Sequence, residues 1–306
     1  MTARPPVESS DLPTIDLSPG GGASGLDANA VGERAATALA EQGCVRLLGA
    51  FAPEFIEGLR RIHDRRYARY FPQDDYADAR MEGDRRTLVT LEIEGAFNTP
   101  SFYANPYVIA TVQRVLGADC ILGQLAVLLS RPGAEHSTPA RARTLFGDHR
   151  HDALTPANGI AMVLPFTTLD EQNGGPRVWP ATQNVADLDE AMRRPSVTAQ
   201  LPIGSCLLFD LRAVHAACGN RTDAIQSIGC FAYHRSWFRD WDGFERQPPI
   251  SITRRALDKV PAEYRHLFDW RFDRYEQHRV RMAMRRLASR AMPAIEWAER
   301  RSARGR

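Results

Sequence analysis

Apolar residues first recur at helical spacing between 29 and 42, where Ala30, Val31, Ala35, Ala38 and Leu39 share one face. The run from Cys44 to Phe51 breaks that spacing and reads as a strand. Pro53 then opens a second helix, with Phe55, Leu59, Ile62 and Tyr70 as its apolar positions and basic residues between them. β-Branched and aliphatic residues dominate Thr87 to Ile93, which predicts another strand. A third helix is punctuated at both ends. Asn105 can accept from its first free N–H groups and Pro106 fits its first turn. Gly117 stops it after a stripe of Val108, Ile109, Val112, Val115 and Leu116.

From Cys120 onward the spacing changes. Ile121 to Ser130, Gly159 to Thr168, Arg177 to Trp179, Ser205 to Phe209 and Gln226 to Tyr233 are short apolar runs, interrupted each time by Gly, Pro, Asn or Asp. That pattern predicts a closed or sandwiched β architecture. Helical sequence returns after Tyr233. Helices, then strands, then helices predict an α+β protein whose β-barrel is buttressed from both ends of the chain. Residues 1–28, rich in Pro, Gly, Ser and Asp, read as a mobile leader, and 29–306 as one domain.

Composition removes several classes of function. The apolar fraction of 43% and the charged fraction of 25% are those of a globular protein. A formal charge of +2 supplies no general attraction to nucleic acid or to a membrane surface. With neither a secretory signal nor an apolar run of about 20 residues, a cytoplasmic protein is expected. The five cysteines form no C-x-x-C pair and read as reduced, buried thiols. Residues 277–306 carry nine arginines against two glutamates but almost no aromatic residues. They read as a solvated helix docked through Met282, Met284, Leu287 and Met292, not as a nucleic-acid tail.

Three later segments carry chemistry: Leu169 to Pro180 (LDEQNGGPRVWP), Ile203 to Asn220 (IGSCLLFDLRAVHAACGN), and Tyr233 to Trp270. RPGAE, Arg131 to Glu135, precedes them. In order and spacing they resemble the phytanoyl-CoA dioxygenase family of iron(II)/2-oxoglutarate oxygenases, across about the second half of the chain. The resemblance implies a double-stranded β-helix, a jelly-roll barrel that holds iron(II) and 2-oxoglutarate and oxidises an unactivated C–H bond of a small molecule. It also implies that His215, in AVHAACGN, is the distal iron ligand.

The family's other two ligands come from His-x-Asp, and both flanking anchors place that dyad on Pro139 to Leu145, a stretch without His, Asp or Glu. A dense cluster follows at Asp148-His149-Arg150-His151-Asp152. Three readings stay open for it. His149 with His151 or Asp152 could complete an unusual iron site with His215. His151-Asp152-Ala153 could be a His-x-Ala site that leaves room for chloride, a form that resembles the superfamily's halogenases. The cluster could also be a polar loop, or an acid–base group with no metal. Where the family has an arginine for the distal carboxylate of 2-oxoglutarate, this chain has Gln226, with Arg221 and Arg235 as nearby substitutes. The alternative function is therefore a metal-free isomerase, cyclase, dehydratase or hydrolase using His149, His151, Asp152 and His215. Phe146, Phe166, Trp179 and Phe231 are candidates for an apolar substrate wall, although aromatic residues in barrel strands more often fill the core.

Overall fold

The computed structural model describes residues 11–73, 75–141, 145, 149–240 and 246–272, with the side chain of His149 excluded. The arginine-rich stretch 277–306 and Phe146 lie outside the described residues. Contacts divide the chain after Leu267 into two units. Of the second unit only Phe268 to Phe272 is described, as helical turns.

In the first unit the elements run β1 (Thr14–Asp16), α1 (Ala28–Gln42), β2 (Cys44–Leu48), α2 (Pro53–Arg66), β3 (Arg80–Met81) and β4 (Arg86–Thr90). Next come α3 (Pro100–Tyr103), α4 (Pro106–Leu116), β5 (Ile121–Ser130), α5 (His149–Asp152), β6 (Gly159–Pro165) and β7 (Pro176–Val178). The last are α6 (Leu188–Met192), β8 (Val197–Thr198), β9 (Cys206–Asp210), β10 (His215–Ala217), β11 (Gln226–His234) and α7 (Arg254–Leu257). The fold is α+β, as the spacing predicts.

The helix ends follow the local chemistry. Asn105 Oδ1 accepts from the Tyr107 and Val108 N–H groups, and Gly117 ends α4. Asp27 caps α1 in the same way through the Ala30 N–H, and Gly43 takes the left-handed conformation that ends it. The leader is the main departure. β1 lies inside it and pairs in parallel with β2, and Leu12, Ile15 and Ala23 are buried. Its apolar residues are too few to show a period, so only the neighbouring strand determines their place.

Eight strands form one open sheet in the order β1-β2-β9-β6-β11-β5-β4-β3, and three form a smaller sheet, β10-β7-β8. The smaller sheet packs against the larger through a shared core. Val178 and Ala199 from the small sheet's side meet Ala161, Leu207, Phe209 and Ile228 of the large one. The other face of the large sheet is covered by helices and aromatic residues. The Phe231 ring stands edge-on to Phe102 of α3 at 5.1 Å, and the Tyr233 hydroxyl donates to the Tyr103 carbonyl at 2.8 Å.

The two faces differ in accessibility. On the helix-covered face of the central strands, Val127, Leu129, Met162, Leu164 and Phe231 are buried. On the face toward the small sheet, Leu128, Val163 and Cys230 keep accessible surface although they lie mid-strand. A mid-strand side chain stays accessible only when the facing layer leaves space beside it, so the packing between the two sheets is incomplete at these residues.

Candidate active site

His215 begins β10 at the border of that space. Its backbone pairs with Val178 of β7 on one side and with Ala140 on the other. The His215 N–H donates to the Ala140 carbonyl at 2.9 Å, and the Ala140 N–H donates back at 3.0 Å. Residues paired across strands point their side chains to the same face, so His215 shares the inner face with Val178. The imidazole packs on Phe209 with ring centroids 4.7 Å apart. Its Nδ1 lies 3.0 Å from the Ala213 carbonyl, which can only accept. Nδ1 therefore carries the proton, and Nε2 is left as a lone-pair acceptor. Burial lowers the His215 pKa, and the bond to Ala213 opposes that only in part. The ring is a neutral, oriented imidazole.

The bridge puts Ala140, in the stretch where the dyad is expected, directly beside His215. A strand segment carrying an imidazole and a carboxylate beside His215 would occupy this stretch, and Ala140 presents a methyl group there. Arg141 directs its guanidinium at the carbonyls of Val185, Ala186 and Asp187. The following residues, 142–144, lie outside the described residues.

The 148–152 cluster does not compensate with the side chains described. Asp148 and the His149 side chain lie outside the description. His151 is exposed on α5. Asp152 is buried, and its Oδ2 accepts from the Leu145 N–H at 2.8 Å while Oδ1 has no hydrogen-bond partner. Among the described residues no three His, Cys, Asp or Glu side chains come together as a metal site. An iron site made of His215, His151 and Asp152, or of His215 with a His151-x-Ala153 pair, is therefore not assembled. The described residues do not fit the family's three-ligand iron centre.

The cosubstrate positions separate clearly. Arg221 is exposed. Arg235 is committed elsewhere, donating from Nε to the Ala157 carbonyl at 2.7 Å and from its terminal nitrogens to the last carbonyls of α4, Leu116 at 3.2 Å and Val115 at 3.0 Å. Both expectations are corrected: Arg235 is a helix C-terminal clamp and Arg221 is a surface residue. Gln226 does sit on the inner face. Its Oε1 accepts from Thr167 Oγ1 at 2.5 Å, and its Nε2 meets only Thr222 Oγ1, at 3.5 Å. Arg131 of RPGAE likewise serves the scaffold, tying Thr87 Oγ1 and the carbonyls of Tyr70, Phe71 and Gln73. The proposed apolar wall is core: Phe166 and Phe231 are fully enclosed, and Trp179 packs with Val214 and Ala191.

One residue escaped the sequence reading. His234, in the YHRS segment, ends β11 on the same face as Ile228 and Cys230. Its ring rests on two glycines: a Cβ at Gly123 would fall 2.1 Å from His234 Cδ2, and one at Gly159 would fall 2.6 Å from Nδ1. Phe238 covers the ring at 4.9 Å, and Nδ1 is buried without a hydrogen-bond partner. Burial pushes its pKa down to about 4. The signal was present as Gly123 and Gly159, which interrupt apolar strands, but only the strand register shows what they accommodate.

The sequence profile of the phytanoyl-CoA dioxygenase family matches residues 39–228, more than half of the chain. The chain belongs to the phytanoyl-CoA dioxygenase family. It is accordingly an enzyme. Solved structures are similar in fold across most of its length. The non-heme α-ketoglutarate-dependent epimerase SnoN from nogalamycin biosynthesis superposes with a TM-score of 0.52 at 17% identity, covering 73% of this chain and 96% of SnoN. The carbocyclase SnoK from the same biosynthesis gives 0.55 at 14% identity, covering 74% and 96%. AviO1 from Streptomyces viridochromogenes Tue57 gives 0.53 at 17% identity, covering 68% and 96%. No curated protein matches the sequence significantly. Among the described residues no helix of this phytanoyl-CoA dioxygenase family member is long and apolar enough to cross a membrane.

Proposed function

We propose that this chain is a small-molecule tailoring enzyme whose reaction takes place between its two sheets, centred on His215, without the family's three-ligand iron set. The strand orders β9-β6-β11-β5 and Ala140-β10-β7-β8 support reading the sheets as the two halves of a double-stranded β-helix. The observation that carries the proposal is the backbone bridge between Ala140 and His215. It supports reading the stretch around Ala140 as the counterpart of the family's dyad, with a methyl group beside His215.

With Nδ1–H held by Ala213, Nε2 of His215 is suited to accept a proton or a hydrogen bond from a substrate. Val163, Leu128 and Cys230 offer the apolar body of the site. Epimerisation and ring closure, the activities named for SnoN and SnoK, are reactions on small organic molecules in the same fold, and this chain's substrate is assigned to that class.

A second reading keeps iron(II) and 2-oxoglutarate and oxidises an unactivated C–H bond. It is favoured by the SnoN structure in complex with Fe3+, α-ketoglutarate and nogalamycin RO. Iron would supply dioxygen activation. His215 would then need partners from 148–152, with His149 or the unpartnered Asp152 Oδ1 as donors.

The experiment is to purify the protein without chelator, add iron(II) anaerobically, measure bound metal, then admit oxygen and follow 2-oxoglutarate decarboxylation. The first reading expects no stoichiometric iron. One iron per chain together with turnover would overturn it in favour of the second.

A further inference from the structure

A buried arginine stands on the inner face, and nothing in the reaction scheme above uses it. Arg86 of β4 pairs with Ser130 of β5, and Ser130 pairs with Gln226 of β11. The three side chains therefore form one row across the sheet, with neighbours one strand spacing of about 4.8 Å apart. Ser130 is two residues from Leu128, and Gln226 two residues from Ile228, so the row faces the space between the sheets. All three are buried, at 2%, 1% and 7% exposure.

The polar atoms of this row are incompletely satisfied. One terminal nitrogen of Arg86 donates to the carbonyls of Cys218, at 2.7 Å, and Glu135. Those bonds orient the guanidinium but bring no negative charge. Its Nε is buried with no hydrogen-bond partner, and so is the Ser130 hydroxyl. Among the described residues no carboxylate forms an ion pair with Arg86. The nearest acid in sequence, Asp84, is exposed and faces Arg85 at 3.7 Å; it acts on Arg86 as a nearby charge without forming an ion pair. Gln226 has its carbonyl oxygen occupied by Thr167, which leaves Nε2 as the end available to the row. Gly174 roofs the niche without filling it: a Cβ there would lie 3.5 Å from Ser130 Oγ and 3.6 Å from the Cys218 carbonyl.

A buried, unpaired guanidinium is costly, and a cluster of donors without an acceptor is costly in the same sense. One carboxylate would answer both, because its oxygens accept from Arg86 Nε, Ser130 Oγ and Gln226 Nε2 together. We propose that the Arg86–Ser130–Gln226 row is a binding niche for the carboxylate of a small organic acid, with its charge supplied from β4. The inference rests on reading the space between the sheets as the active site. It adds that the site takes an acid.

Two acids could bring that group: 2-oxoglutarate, or a substrate with its own carboxylate. The test titrates the metal-free, full-length protein by calorimetry with 2-oxoglutarate, its dimethyl ester, and straight-chain monocarboxylates from acetate to octanoate. Free acid is expected to bind and the ester is not. Arg86→Gln should weaken binding on the order of 10- to 100-fold and Ser130→Ala about three- to tenfold, with Arg86→Lys between wild type and Arg86→Gln. Binding of 2-oxoglutarate assigns the niche to a cosubstrate, and binding of monocarboxylates alone assigns it to the substrate. If Arg86→Gln misfolds, Ser130→Ala carries the test, since it deletes a hydroxyl that has no partner. The proposal is overturned if no acid binds, or if the variants bind as wild type does. Neither iron nor turnover enters the measurement, so its outcome is independent of the iron-uptake experiment.

Discussion

The two faces of the large sheet are made of the same strands and follow different rules. On the helix-covered face, Phe231, Met162, Leu164 and Val127 are sealed, and every contact contributes to stability. On the inner face the mid-strand residues Leu128, Val163 and Cys230 stay accessible. Polar groups there are held by their surroundings yet lack full partners: His215 has a free acceptor nitrogen, Ser130 a bare hydroxyl, and Arg86 an unused Nε. One face is built to exclude ligands and the other to be completed by one.

That contrast can be broken most directly on the covered face. Phe231→Ala removes a ring that packs edge-on to Phe102, and it should cost about 3–5 kcal/mol in chemical denaturation. A cost near that of an exposed residue would mean that this face is not sealed.

The border of the inner face should respond to acid. The His234 pKa lies at about 4, below its ordinary value of 6.5, so the folded state resists protonation. The unfolded chain binds the extra proton first. Stability from this group is therefore fully present above pH 6.5 and is lost as pH falls from there toward 4, on the order of 3 kcal/mol. His215, also lowered by burial, acts in the same direction. Comparing wild type with His234→Gln cancels all other titrating groups. Identical slopes in the two proteins would remove His234 from the account.

The smallest expected effect on stability falls at the residue proposed to matter most for reaction. His215→Gln leaves the strand pairing with Ala140 and Val178 to the backbone, and it should change unfolding free energy by under about 1 kcal/mol. A loss of several kcal/mol would identify His215 as a core residue and place it with the covered face.

Much of the covered face was legible in the sequence. The strand Ile121–Ser130 and the helix ends at Asn105 and Gly117 follow from apolar runs and cap chemistry that act over a few residues. Strand starts at Gly159 and Gln226 were legible for the same reason. The site was legible only as far as it copied a motif. His215 was legible from the Ile203 to Asn220 segment that carries it, and the vacancy near 140 because RPGAE and the Asn173-Gly174 turn flank it. The role of Arg235 was not legible because a guanidinium near the expected place carries no sign of its direction, and its donors are taken by the Ala157 carbonyl and the end of α4.

The sequence alone determined the helices α1, α2 and α4 and the strands β2, β4, β5, β6, β9 and β11, put a histidine at 215 where the family resemblance implies the distal iron ligand, and left the expected dyad stretch without His, Asp or Glu. These are properties of residue identity and short-range spacing. Tertiary structure alone decided that Ala140 lies directly beside His215, that β1 joins the large sheet, and that His234 rests on Gly123 and Gly159. It alone aligned Arg86, Ser130 and Gln226, residues 44 and 96 positions apart in the chain, in one row. Such neighbours are set by cross-strand register, which depends on how whole strands pack and which no local pattern records.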